Sequence, residues 1–552
     1  MTASCSSNED LGTAGPGTGT NESGVGYATF TINLPTTSGT RAGDPTFEAG
    51  DPKEYDVNDA TLLIFKEAGS SENDYTFVES VNLGSMAPWK DPSETGVTTH
   101  AKITAKLNKI NTTDKFYALV LLNNGTESSK KVDLPDDNQT FSAWNEAKVT
   151  DKIANTDAGF YMANAPLYKA NKVTTLVPIE STKIYPTEAQ AASNPSTDIY
   201  VERGLAKVTV TSASKATKTI ADGTYKDDKV TIQNWGLDVT NKKSFPVHKT
   251  DGTGYDDIWS NTATPSGTNN ATTLRFVDNN TTTVAKRVYW GVDPNYNIAK
   301  LNAETTAGKK ERTDNFNYVG KDKLTATTSD AQYCLENTFN LDNMMQGQTT
   351  RVVFKAKYVP KGFTEGATFY MVGKNTAIWT EDNLKDEIVA AVTKVVPSAT
   401  TANTTVDLAN TENDITKAGN HLLALSNISV TGVTLDQTNI DAINTKLGLK
   451  DGEGISTYQD AEAYYIARVK HFGVLTPWKA GQSYGTDNLS FLGRYGVLRN
   501  NWYELTVDKV SGPGYPDVPE VKPNVPDDEN FKYLSVSVKI LSWAKWSHSY
   551  DL

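Results

Sequence analysis

The chain has 552 residues, more than one ordinary hydrophobic core accommodates, so two domains with tails is the expected arrangement. Its 38% hydrophobic content, with 25 Tyr and 10 Trp, is well above that of a disordered chain, and the bulk of it is expected to fold. A formal net charge of -13 without any basic run argues against nucleic acid as a partner, because phosphate binding needs clustered Lys and Arg.

At the N-terminus Thr2, Ala3 and Ser4 precede Cys5, and small residues before a cysteine are how a bacterial lipoprotein signal ends. Cys5 is therefore the expected lipid acceptor, although Thr2 stands where leucine is usual and the hydrophobic part of such a signal is missing, which points to a longer precursor. Residues 6–26 are rich in Gly, Ser and Thr without apolar periodicity, the composition of a flexible leash such as a membrane anchor needs. Over 27–34 the order changes: Ala28, Phe30, Ile32 and Leu34 alternate with Thr29, Thr31 and Asn33, which predicts a strand with one buried face, ended by Pro35. The polar loop that follows carries Arg41 as its only basic residue, next to Ala42, and is easy for a protease to enter.

Beyond the loop, short β-rich runs recur at 60–65, 116–122, 199–210, 351–359, 464–474 and 502–510, broken by Gly, Asn and Asp. Helices are predicted over about 141–154, over 381–396 with Leu384, Ile388, Val392 and Val395 on one stripe, and over about 436–447 with Ile440, Ile443 and Leu447. The expected fold is all-β dominated: two tandem antiparallel β-sandwiches, transthyretin-like or Greek-key, with a few short helices. The junction is expected near 205, giving domains over 42–205 and 206–510 and a tail over 511–552.

The tail begins with a spacer carrying Pro513, Pro516, Pro519, Pro523 and Pro526, which reads as semi-rigid polyproline spanning ~60 Å when extended. After it Leu534, Val536, Val538 and Ile540 alternate with Ser535, Ser537 and Lys539, matching the stripe of 28–34 in period and length. A greasy strand on a stiff arm is poorly placed to complete its own domain and well placed to reach a neighbour, the alternative being a terminal strand that completes its own sheet, as in many sandwiches. Were it to replace strand 27–34 in another copy, its four aliphatic side chains would contribute ~6–12 kcal/mol at most, comparable with an association cost of ~4–15 kcal/mol. Flanking residues, with Trp543 and Trp546 the obvious candidates, would have to add to that.

These residues resemble the fimbrillins of the Bacteroidales, the type V pilins. The resemblance is carried by "TSGTRAGDP" around Arg41, "DIYVERGLAKVTV" at 198–210, "GVLRNNWYELTVDKVSGPGYP" at 496–516 and the ending "YLSVSVKILSWAKWSHSYDL", and the layout is most similar to the shaft subunit of short (minor) fimbriae. It implies a precursor lipidated on Cys5 and held at the outer membrane, a cut between Arg41 and Ala42 by an arginine-specific surface protease, and departure of strand 27–34. Assembly would follow through a donor strand made by Leu534, Val536, Val538, Ile540 and Trp543. The implied partners are other copies of the chain and accessory, tip and anchor subunits of a cell-surface fimbrium supporting adhesion and biofilm.

Nothing nominates an enzyme. His100, His248, His421, His471 and His548 show no ligand spacing with each other or with Cys5 and Cys334, and no nucleophile elbow, phosphate loop or dinucleotide fingerprint occurs. No cofactor is expected. The rival expectations are a monomeric surface lipoprotein that binds glycans and a fimbrial tip adhesin.

Overall fold

The structure, a computed structural model, describes residues 17–34, 51–83, 100–126, 128–169, 172–251, 286–288, 290–471, 492–527 and 533–542. Cys5, Arg41, Ala42 and Trp543 lie outside them. Three main sheets organise the described chain, and several small ones accompany them. The fold is all-β dominated, as the short alternating runs require.

The first sheet has eight strands: β1 (Gly26–Asn33), β2 (Ala60–Lys66), β3 (Thr76–Asn82), β4 (His100–Leu107), β5 (Phe116–Leu122), β6 (Met162–Asn164), β7 (Val177–Ile179) and β8 (Thr197–Arg203). Their order is β3-β2-β5-β6-β8-β1-β4, with β7 added beside β5. The sheet curls until its edges approach: Glu79 of β3 accepts hydrogen bonds from the backbone N–H groups of Asn108 and Lys109, just past β4. Helix α1 (Phe141–Ala147) packs Phe141 edge-on to Phe65 of β2 at 5.7 Å. It stops short of the predicted residue 154, because Thr150 instead exchanges backbone hydrogen bonds with Ser244.

The chain leaves this sheet at Gly204, which splits the expected single run 199–210 into β8 and β9 (Leu205–Val210). A Cβ there would lie 2.8 Å from Ile153, so the close approach at the crossing requires glycine. Two four-stranded sheets then enclose a second core. One runs β12-β9-β15-β16, from β12 (Ala331–Leu335), β15 (Asn501–Val510) and β16 (Leu534–Ser542). The other runs β10-β11-β13-β14, from β10 (Lys218–Thr219), β11 (Lys229–Asp238), β13 (Arg351–Val359) and β14 (Glu462–Arg468). Trp235, Phe354, Tyr465, Tyr503 and Leu505 are fully enclosed between them. Pairing is mainly antiparallel, but β1 runs parallel to β8 and β9 parallel to β15.

Between β13 and β14 the chain makes a third core that the sequence did not announce as separate. There α4 (Glu381–Val395) and α5 (Gln437–Lys446) bury Leu384, Ile388, Val392, Ile440 and Ile443 against Tyr370, Ile428 and Ile455 from small sheets. Thr380 and Asp436 cap the two helices through their side chains. Two further helices escaped prediction, α2 (Glu188–Ser193) and α3 (Thr306–Asn315). The second is polar all round, so no apolar period marks it, and its start is fixed by the Thr305 side chain accepting from Gly308.

Candidate assembly strands

Strand β1 sits inside its sheet. It pairs antiparallel with β4 along its whole length, from Gly26 opposite Leu107 to Asn33 opposite His100, and parallel with β8 from Phe30 to Asn33. Ala28, Phe30 and Ile32 are fully buried and Leu34 nearly so, while Thr29 and Thr31 on the other face bond through their hydroxyls to Thr104 and Ser196. Opposite the stripe, Ala28 faces Ala105, Phe30 faces Ile103 and Ile32 faces Ala101. Removing β1 would leave β4 and β8 each with an unpaired edge and open a trough through the middle of the core.

Strand β16 is an edge strand of its own molecule. Among the described residues it pairs antiparallel with β15 alone, from Val510 opposite Leu534 to Asn501 opposite Ser542, with a bulge at Asp508. Leu534 is buried, and Val536 and Val538 pack half-buried on the second core. The backbone of Ile540 pairs with Tyr503.

This corrects the expectation that the proline spacer holds the strand away from its own domain. The spacer lies along the body instead. Tyr515 exchanges two 2.8 Å backbone hydrogen bonds with Tyr464, the Pro519 carbonyl accepts from Arg351 at 2.7 Å, and the Val525 carbonyl accepts from Gln346. Asp527 is fully buried, its N–H bonded to the Met344 carbonyl and its carboxylate accepting from Thr349 Oγ1 at 2.8 Å. Prolines lack an N–H, so they can lie against a surface without stranding a donor, while the residues between them make the bonds.

Two positions at the foot of β16 carried no signal that the sequence reading used. Tyr533 has φ 63°, the left-handed region that bulky residues avoid, and its ring stands edge-on to Tyr225 at 5.5 Å. Gly512 backs that ring: a Cβ there would lie 2.6 Å from it. Gly512→Val is expected to overpack the seat and loosen β16 by ~1–3 kcal/mol, read as faster hydrogen exchange of the β15–β16 amides against unchanged β1 amides.

Between the two cores the charged groups are buried and paired. Glu54 is fully enclosed, 2.7 Å from Lys207 Nζ of β9, and accepts from the Tyr333 hydroxyl of β12. Lys207 also lies 3.9 Å over the Trp502 ring of β15. Deeper in, His248 joins Glu202 of β8 at 2.8 Å to Glu336, just past β12, at 3.2 Å, and Arg499 reaches Glu336 at 3.4 Å. Burial alone would depress the His248 imidazole, but the two carboxylates outweigh it and lift its pKa to about 9. Burial pushes the Glu336 carboxyl up, and His248 with Arg499 overcomes it and holds it at about 2.

Residues 456–549, which span β14, β15, the spacer and β16, match the family model described as Major fimbrial subunit protein type IV, Fimbrillin, C-terminal. Among solved structures, the tip fimbrial protein Mfa3 from Porphyromonas gingivalis aligns at 10% identity over 94% of this chain and 100% of that one, with a TM-score of 0.29. A fimbrial assembly protein from Parabacteroides distasonis aligns at 10% identity over 61% of this chain and 85% of the other, with a TM-score of 0.28. Likeness at that level carries nothing about function, and a search of curated proteins finds no match. The segment that matches the family model is the one that builds the β15–β16 seat, and over it the chain is similar to the C-terminal part of fimbrillins.

Proposed function

We propose that this fimbrial subunit forms the shaft of a cell-surface fimbrium by strand replacement. The precursor is lipidated on Cys5 and held at the outer membrane, an arginine-specific protease cuts between Arg41 and Ala42, and β1 leaves. Leu534, Val536, Val538 and Ile540 of the next copy, flanked by Trp543, then fill the trough. The mature subunit comprises 42–205 and 206–510 as its two building blocks, followed by the spacer and donor strand of 511–552.

One observation carries this reading: the strand to be lost has its whole apolar stripe buried between two neighbours, whereas the strand of matching period is, among the described residues, paired on one edge only. Exchange thus opens a weaker seat to fill a stronger one. An incoming strand must run antiparallel to β4 and parallel to β8, as β1 does. Because trough and donor lie on different parts of the molecule, the contact repeats without closing and yields a filament.

The test is to treat the purified protein with an arginine-specific protease and follow SDS-resistant ladders and filaments, with a deletion of 531–552 alongside. The deletion is expected to abolish growth. Unchanged growth would remove the donor assignment, and a monomer throughout would favour a glycan-binding surface module. Ile32→Val should lower precursor stability in urea by ~0.5–1.5 kcal/mol and leave the processed polymer unaffected, since the strand is no longer in it.

A further inference from the structure

We infer that the moving arm of the donor strand begins after Asp527, and that Asp527 with Thr349 is a positioning pair fixing the point from which each subunit reaches the next. The inference rests on the strand-replacement reading.

The spacer is fastened to the body at intervals right up to Asp527. Tyr465 and Tyr458 donate their hydroxyls to the carbonyls of Gly512 and Gly514, Tyr515 pairs with Tyr464, Pro519 takes the Arg351 guanidinium, and Pro526 bridges to Met345. The last fastening is the most enclosed: Asp527 and Thr349 are both fully buried, with 2.8 Å between carboxylate and hydroxyl. Lifting the spacer would strand a buried carboxylate, a buried hydroxyl and the Arg351 N–H, each costly once unpaired.

Releasing β16 alone strands much less. It is paired on one edge, and two of its inward residues, Val536 and Val538, are only half-buried. Its entry residue Tyr533 holds a left-handed backbone conformation that release would relax. The fold therefore has a strong seam that ends at Asp527 and a weak one that begins at Tyr533. Six residues, 528–533, separate the anchor from the donor stripe, at most about 20 Å of chain, whereas 511–533 would give about 75 Å. A short arm from a buried anchor fixes the spacing and angle between successive subunits, which a long one would leave loose.

Three cysteine pairs test this in the full chain, each oxidised and then reduced. Thr349→Cys with Asp527→Cys, and independently Gln346→Cys with Val525→Cys, fasten the spacer to the body. Both are expected to polymerise after protease treatment as fully oxidised as reduced. Polymerisation that stops on oxidation and returns on reduction would overturn the inference, because the spacer would then have to lift. Thr506→Cys with Ser537→Cys fastens β16 to β15 and is expected to polymerise only when reduced. Growth of that oxidised variant would instead sink strand replacement itself, and the inference with it. Asp527→Ala is expected to keep polymer yield but broaden the axial repeat in electron micrographs, and Asp527→Asn, which keeps an acceptor for Thr349, to restore it. A repeat as sharp in Asp527→Ala as in the parent would remove the positioning role.

Discussion

Arg41→Ala is expected to keep the protein monomeric under protease treatment that converts the parent to SDS-resistant polymer, a loss of at least a hundredfold in polymer yield. While the peptide bond after Arg41 is intact, β1 is tethered beside its own trough at an effective concentration in the millimolar range. A donor strand from another copy at ~1 μM competes at a disadvantage of ~10³, or ~4 kcal/mol, before any difference in contacts is counted. Cutting the bond leaves the contacts of β1 untouched and abolishes the tether. On the proposed strand replacement the departed strand then dilutes away, while the donor of each neighbour stays attached to a growing fibre. Gel laddering with N-terminal sequencing of the product checks the outcome. Polymer from uncut Arg41→Ala protein would show that release of β1 does not gate assembly.

The second large effect is at the clasp between the two cores. His248→Gln is expected to cost ~3–5 kcal/mol, because it leaves the Glu202 and Glu336 carboxylates buried without their shared cation. It should also divide a single urea transition into two, since Glu202 belongs to the first sheet and Glu336 follows a strand of the second core. The pH dependence has a definite sign. The His248 pKa in the folded protein is raised to about 9, so its contribution is present in full below the unfolded value near ~6.5 and is lost as pH climbs through about 9. Unfolding midpoints of the parent should therefore fall between pH 7 and 10, while those of His248→Gln change little over that range. A parent whose midpoint held steady to pH 10 would mean that His248 is neutral in the fold.

Strand signals were strong where the apolar residues are large and β-branched. Runs 60–65, 116–122, 351–359 and 502–510 correspond to β2, β5, β13 and β15, and the helix stripes of 381–396 and 436–447 correspond to α4 and α5. Strand β4 carries a weak strand signal because its inward positions include Ala101 and Ala105, poor strand formers. The clasp was invisible for another reason: Glu202, His248, Glu336 and Arg499 are far apart in the chain, and no spacing rule joins them.

What the sequence determined by itself was local and periodic. It contained the two four-residue apolar stripes of 28–34 and 534–540, the prolines between the second core and its last strand, and Arg41 as the lone basic residue among small polar ones. Alternation fixes which face of a strand is greasy but says nothing of whose core receives it, because period two is the same at a sheet centre and at a sheet edge. Only tertiary structure decided that β1 is enclosed on both edges, that β16 rests on one, and that the spacer is fastened down to Asp527. Those outcomes depend on buried polar partners such as Thr349 and Arg351, which folding brings to the spacer from more than a hundred and fifty residues away.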